Sequence, residues 1–166
     1  MTRNEPERAV QQSVIDRLVD LNRDSQVEAP LSRPESVRRL KASLRRDIEW
    51  LLNTRRTIVQ IPEAYSHVKV SVLAFGMPDV TSMRVESPQD EKRLLSALEQ
   101  AISAFEPRLV DVRVRPHERA RGRVHTLHFY IEGTLLIEPA PEHISFDTLL
   151  EVPRGAYEVM GEYGAR

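Results

Sequence analysis

The apolar residues of this 166-residue chain change their spacing along its length. Between residues 88 and 105 they recur every three or four positions, as on one face of a helix. After residue 109 three valines alternate with charged residues, which is typical of a strand with one buried face. Pro107 lies between the two patterns and prevents the helix from continuing. The pattern predicts a rigid helix-to-strand junction at Phe105–Leu109 that fixes Glu106 and Arg108 close together, and one apolar strand face formed by Val110, Val112 and Val114.

Two other stretches carry the helical period, and a serine marks the start of the third helix. The first runs from about Pro6 to Leu21 and the second from about Ser36 to Asn53, with a linker over residues 22–35. Ser87, followed by a proline and acidic residues, predicts a capped start for the helix that leads to the junction. The stripe of the first helix consists of Val10, Val14, Leu18 and Leu21.

The remaining patterns are those of strands. Alternation over residues 68–72 favours a strand, although a short helix also fits that stretch. Residues 116–123 predict a hairpin loop, and Val124–Ile137 a long strand with Gly133 at a bulge or a tight contact. A third strand is expected at Ile144–Phe146 with an extended continuation to Glu151, and an edge strand at residues 155–159.

These elements predict an α+β fold. An N-terminal helix precedes a body of two main helices packed on a small three- to four-stranded, mainly antiparallel sheet. We expect residues 1–35 to form the N-terminal amphipathic helix and linker, and residues 36–166 to form a single domain.

Composition excludes several kinds of function. The 24 basic and 25 acidic residues nearly cancel, so the net charge of −1 gives no reason to expect a surface that follows a nucleic-acid backbone. There is no cysteine, which excludes disulfides and thiol catalysis. No apolar run approaches the length of a membrane helix, so we expect a soluble, cytoplasmic protein without membrane insertion.

The histidines do not predict a metal site. His125 and His128 are three residues apart on a predicted strand, so their side chains point to opposite faces. His117 and His143 stand beside prolines in loops. The chain also lacks a glycine-rich phosphate loop, and we expect neither a metal nor another cofactor.

The residues alone leave two functions open, a cell-wall glycosidase and a nucleic-acid binder. Glu106 is the best candidate for the acid of a cell-wall glycosidase, with Asp79 or Glu132 as its partner. However, a guanidinium two residues away would keep this carboxylate ionised, which suits a structural clamp better than a proton donor. The arginine-rich loop Arg113–Arg123 could instead bind nucleic acid.

Four short motifs occur in an order that resembles a known family. They are Ile48–Arg56, Ser71–Asp79, Phe105–Leu109 and Phe146–Thr148. Together they resemble the TssE subunit of the type VI secretion baseplate, which is similar to the wedge protein of contractile phage tails once labelled "lysozyme-like". The resemblance spans roughly Val10 to Val159.

The resemblance implies a structural role and no catalysis. It implies a cytoplasmic baseplate subunit that forms wedges with TssF and TssG, binds no nucleic acid, and offers a platform on which the contractile sheath polymerises by strand sharing. Glu106, Pro107 and Arg108 match the family's signature, which is tied to assembly. By the same likeness, the N-terminal helix would join a helical bundle with partner subunits.

Overall fold

The structure is a computed structural model that describes residues 9–19, 31–84, 87–117 and 125–162. These residues have an α+β fold, as the sequence predicts. Their helices are α1 (Val14–Leu18), α2 (Arg33–Asn53) and α3 (Pro88–Phe105), with two short 3-10 turns at Val68–Val70 and Val72–Ala74. Their strands are β1 (Leu109–Pro116), β2 (Thr126–Leu135), β3 (Glu142–Glu151) and β4 (Ala156–Glu162).

The chain divides into two compact units, Met1–Leu44 and Arg45–Arg166, and the boundary falls within α2. The domain division predicted from the sequence, after residue 35, stays a prediction. No helix in the described part of the chain is both long enough and apolar enough to cross a membrane.

In the first unit, α1 is much shorter than predicted. The backbone N–H of Val10 donates to Ser36 Oγ at 2.9 Å, and Gln12 Nε2 donates to the Ser36 carbonyl at 2.8 Å. These bonds hold residues 10–12 in a non-helical conformation, and the helix begins only after Ser13, whose hydroxyl accepts from the N–H of Asp16. The predicted helix over Pro6–Leu21 is therefore wrong within residues 9–13, while residues 6–8, 20 and 21 lie outside the described residues.

The end of α2 and the start of α3 lie where the sequence predicts them, whereas the start of α2 does not. α2 ends at Asn53 and α3 begins after Ser87, whose Oγ accepts from the Asp90 N–H at 3.3 Å. α2 begins at Arg33, three residues before the predicted Ser36, because a proline fits the first turn of a helix, where its missing N–H has no helical partner.

The second unit contains an antiparallel sheet in the order β1-β2-β3-β4. Alternate residues of β2 and β3 are buried against the core. The third strand is one continuous element, where the sequence predicts a short strand with an extension, because β3 pairs with β2 along all ten of its residues. The buried residues of β2 and β3 include Phe129, Ile131, Leu135, Ile144, Phe146 and Leu150.

A bulge in β1 changes which valines face the core. Asp111 and Val112 lie opposite Gly133, and Asp111 has a φ of 55°. The extra residue shifts the alternation, so Leu109 and Val112 are buried while Val110 is only half-buried. The prediction that Val110 shares the apolar face is therefore wrong. The tight contact expected at Gly133 is confirmed, because a Cβ there would lie 2.8 Å from the Leu109 Cγ.

Residues 68–74 form two 3-10 turns, so the strand favoured by alternation is wrong and the helical alternative is nearer. Ser71 stabilises both turns, because its Oγ donates to the Val68 carbonyl at 2.8 Å and accepts from the Leu73 N–H at 3.3 Å. Alternation predicts a strand only where a neighbouring strand is available to pair with it.

Candidate functional site

The junction Phe105–Leu109 turns the chain from α3 into β1. The last helical hydrogen bond of α3 runs from the Glu106 N–H to the Ile102 carbonyl at 2.8 Å, and the helix ends there because Pro107 has no N–H to continue it. The Leu109 N–H then donates to the Glu106 carbonyl at 3.2 Å. The junction is thus a tight turn that fixes the direction in which β1 leaves the helix.

Three side chains form an ion-pair clamp at this turn, namely Glu106, Arg108 and Asp47. Arg108 Nε donates to Glu106 Oε1 at 2.7 Å and its Nη2 donates to Oε2 at 2.5 Å. The same Nη2 donates to Asp47 Oδ2 at 2.6 Å. Only 7% of the Glu106 side chain is exposed, against 24% for Arg108. The clamp therefore joins the junction to α2 through a largely buried guanidinium.

The electrostatics of the clamp favour the charged form of Arg108. The hydrogen bond that Arg108 donates to Glu106 raises the pKa of the guanidinium above its ordinary value, partial burial opposes this, and the bond donated to Asp47 raises it further. Because both oxygens of Glu106 bind one permanent cation, this carboxylate is poorly suited to donate a proton.

The clamp continues toward the surface through α2. Arg46 donates to Asp47 Oδ1 from Nε at 3.0 Å and from Nη2 at 2.8 Å. Its guanidinium also lies 5.1 Å from the ring centroid of Trp50, which is 60% exposed. An exposed aromatic ring is thus linked by consecutive contacts to the buried Glu106.

The proposed catalytic partners of Glu106 have other contacts. Asp79 Oδ1 accepts from the Thr81 N–H at 3.0 Å and from its hydroxyl at 2.8 Å. Glu132 lies 3.2 Å from Arg115 Nε. The carboxylate that shares a partner with Glu106 is instead Asp47, and both of them bind one cation.

The His117 ring, just after β1, packs against the rings of two β2 residues. His117 lies 5.0 Å from the Tyr130 ring and 6.2 Å from the His128 ring, between centroids. Within the four described ranges, no group of three histidine or carboxylate side chains could hold a metal ion. Of the arginine-rich loop, residues 118–123 lie outside the described residues.

A second motif, Ser71–Asp79, docks on the end of α2 beside the junction. The Met77 N–H donates to the Thr54 carbonyl at 2.7 Å, and the Arg56 N–H donates to the Met77 carbonyl at 2.8 Å. Gly76 has a φ of 106°, and a Cβ there would lie 2.3 Å from the Thr54 oxygen. This approach requires glycine.

Aromatic packing and strand pairing connect the remaining motif residues. The Phe75 and Phe105 rings meet edge to face with centroids 5.2 Å apart, which joins the second motif to the junction. In the fourth motif, Phe146 and Thr148 are fully buried on β3. The motifs that carry the family resemblance therefore place several residues in the interior, while others, such as Val72 and Trp50, are exposed.

The predicted docking residues of the N-terminal helix have different environments. Val14 and Leu18 lie on α1 and are 68% and 79% exposed. Val10 is half-buried and precedes the helix, so it does not share their stripe. Leu21 lies outside the described residues. Polar bonds such as Ser43 Oγ to Asp16 Oδ2, at 2.7 Å, attach the helix to α2 and leave its apolar side chains exposed.

The structure has a second exposed apolar surface that the sequence did not predict. It lies on residues 57–73, called the 57–73 segment below. Ile58 is 98% exposed and Val72 is 91% exposed. The available signal was an apolar-rich stretch with a proline and no stable period. Its other exposed large apolar residues are Val59, Tyr65, Val70 and Leu73.

Comparison with protein families matches residues 38–140 to the family described as baseplate wedge protein gp25. This is the family of TssE, so the resemblance found in the sequence is confirmed. The matched range includes the clamp and the 57–73 segment. Comparisons with curated proteins and with solved structures found no match.

Proposed function

Because the chain belongs to the baseplate wedge protein gp25 family, we propose that it is a TssE-type subunit of a contractile type VI secretion machine. In this role it joins TssF and TssG in the wedges of a cytoplasmic baseplate and provides the platform on which the sheath starts to polymerise. It acts as an assembly subunit and not as an enzyme. The family match over residues 38–140 carries the proposal.

The clamp supports a structural role. A glycosidase needs one carboxyl group that is protonated before the reaction and a second carboxylate across a cleft. Glu106 is bound on both oxygens by Arg108. The assembly role of Glu106, Pro107 and Arg108 is then indirect, because these residues hold β1 and α2 in the arrangement that the partners recognise.

Exposed apolar side chains provide the surfaces for wedge partners. The 57–73 segment and α1 together expose most of the large apolar residues that are more than half exposed in the described ranges. Concentrated exposed apolar surface marks sites that other proteins cover. We assign the α1 residues Val14 and Leu18 to a helical bundle with TssF and TssG, and we propose that Val10 and Leu21 contribute to the same contact.

Affinity purification from the native host tests the proposal. The tagged protein should recover TssF and TssG, and a strain without it should fail to form fluorescent sheaths until the wild-type gene is restored. Normal sheath formation in the deletion strain would contradict the platform role.

A deletion of residues 1–29 tests the N-terminal helix separately. The shortened protein should retain its cooperative unfolding transition and lose most of its recovery of TssF and TssG. Unchanged recovery would remove the helix from the wedge interface.

The two rival functions have their own assays with the purified protein. Clearing of peptidoglycan in a zymogram that is lost in Glu106→Gln would indicate a glycosidase. A salt-dependent mobility shift of a nucleic-acid probe, lost when the arginines of loop Arg113–Arg123 are replaced, would indicate a nucleic-acid binder. We expect neither result.

A further inference from the structure

The sheet has two edges, β1 and β4, and they are closed by different means. The outer N–H of Val114 on β1 donates to Glu99 Oε1 of α3 at 2.8 Å. Pro116 at the end of β1 has no N–H, and the bulge at Asp111 interrupts the strand near its start. Proline and bulges prevent another strand from pairing with an edge. Two of these three features are part of the β1 backbone, so no side-chain movement removes them.

Among the described residues, only side chains close the outer edge of β4 over Tyr157 and Val159. The Tyr157 N–H donates to Asn53 Oδ1 at 2.9 Å, and Asn53 Nδ2 donates to the Tyr157 carbonyl at 2.8 Å. The Val159 carbonyl accepts from Arg45 Nη1 at 3.3 Å. β4 contains no proline, and its pairing irregularity with β3 lies beyond Val159.

The Asn53 amide imitates one residue of a neighbouring strand. In an antiparallel sheet, two directly opposed residues exchange both of their N–H···O bonds. Asn53 exchanges the same two bonds with Tyr157. An incoming strand would therefore replace this side chain with bonds of the same kind and number, so little hydrogen-bond energy is lost in the exchange.

The surroundings favour that exchange. Arg45 and Asn53 are exposed, so both side chains can return to water when they are displaced. Tyr157 and Val159 are buried, so an added strand with an apolar residue on the same face would extend the core. Beyond them, a Cβ on Gly161 would meet no atom within 4 Å, which leaves space at this end of the strand.

We propose that β4 is the edge that accepts an extended strand from another chain, and that Asn53 and Arg45 of α2 cover it until that strand displaces them. The proposal rests on the strand-sharing role given above, and it adds which edge is used and what covers it. The occupant is an extended polypeptide with alternating apolar residues, which the sheath subunit would supply.

The cover can be tested on the isolated full-length protein by amide hydrogen exchange. In Asn53→Ala, exchange at the Tyr157 N–H should accelerate by about tenfold or more, while the N–H groups that pair β4 with β3 keep their wild-type rates. An unchanged Tyr157 rate would show that Asn53 is not a cover and would overturn the proposal. Asn53→Ser, which shortens the side chain but stays polar, separates loss of the cover from general destabilisation.

The acceptor edge is tested with purified sheath subunits as the probe. The double variant Asn53→Ala with Arg45→Ala should bind them several-fold more tightly than the wild type, whereas Glu99→Ala, the matched change at β1, should leave binding unchanged. Exchange should slow at Val159 in the complex. Tighter binding by Glu99→Ala alone, or protection of β1 instead of β4, would assign the acceptor to β1 and overturn the proposal.

Different results would contradict the strand-sharing premise and the choice of β4 as the acceptor edge. If sheath subunits bind neither the wild type nor any variant, the strand-sharing premise fails and the acceptor role of β4 fails with it. If they bind and protect only β1, strand sharing stands and the choice of β4 is wrong. The exchange rates of the isolated protein test the cover in either case.

Discussion

The junction Phe105–Leu109 and the 57–73 segment both connect regular elements, yet they place their side chains in opposite environments. At the junction, Glu106 is buried and bound by Arg108, which also binds Asp47. In the 57–73 segment, Ile58 and Val72 are almost fully exposed. The junction has the stronger sequence signal because its residues bind one another within a few positions of the chain, as Arg108 binds Glu106. The 57–73 segment, which exposes its apolar side chains, has the weaker signal.

The difference between the junction and the segment illustrates two ways in which a motif can serve assembly. A motif can contact the partner, or it can hold the framework on which the contact surface lies. The clamp has the second geometry, because its guanidinium already binds two carboxylates within the chain. Four experiments test the different roles of the clamp and the exposed surface.

The largest effect is expected from Arg108→Ala. It leaves the buried Glu106 without its cation, and loss of one partner of a buried ion pair costs about 3 kcal/mol of unfolding free energy. Urea denaturation measures this cost. Arg93→Ala, at an exposed ion pair with Asp90, is the control and should cost less than about 0.5 kcal/mol. Wild-type stability combined with lost sheath assembly would show that Arg108 contacts a partner directly.

Gly76→Ala tests the attachment of the second motif to the end of α2. The added Cβ would collide with the Thr54 oxygen at a φ of 106°, so we expect a loss of about 2 kcal/mol in unfolding free energy. Gly161→Ala is a matched control, because its Cβ meets no atom within 4 Å, and its effect should stay within about 0.5 kcal/mol. Equal effects at the two glycines would remove the close approach as the cause.

Ile58→Asp combined with Val72→Asp tests the exposed segment. Both side chains are exposed, so the unfolding free energy should change by less than about 0.5 kcal/mol, while affinity for the wedge partners falls by about tenfold. Isothermal titration with the TssF and TssG complex measures the affinity. Lys69→Glu changes an exposed charge in the same segment and serves as the control. Unchanged affinity in the aspartate variant would place the wedge contact elsewhere.

The smallest effect is expected at Asp79, where hydrogen bonds from Thr81 lower the pKa below its ordinary value of 3.8. A pKa lowered by folding stabilises the folded state above the ordinary value, and this contribution is lost as the pH falls through the lowered pKa. Asp79→Asn should therefore be slightly less stable than the wild type near neutral pH and equal to it in acid. A titration midpoint for Asp79 at or above 3.8, measured by carboxyl NMR, would contradict this.

Local patterns were sufficient for much of the fold. The end of α2 at Asn53, the capped start of α3 and the turn at Pro107 follow from neighbouring residues, because caps and prolines act within one helical turn. The antiparallel strands follow from alternation and from the short connections between them. The pairing of Glu106 with Arg108 was also accessible, because the two residues are held at one turn.

Other features depend on residues that are distant in sequence. The bulge that turns Val110 away from the core depends on the pairing of β1 with β2. The late start of α1 depends on hydrogen bonds to Ser36, and the second partner of Arg108 is Asp47, 61 residues away. Periodicity along the chain carries no information about such partners.

The α+β class, the end of α2, the start of α3, the junction and the family resemblance are all readable in the sequence, because each arises from contacts within a few residues or from motif order. The fold alone reveals that Arg108 is held within the chain, that apolar residues of α1 and of the 57–73 segment are exposed, and that the Asn53 side chain hydrogen-bonds to the Tyr157 backbone across 104 residues. Exposure and long-range hydrogen bonds are properties of the packed chain, since each depends on which other residues arrive beside it.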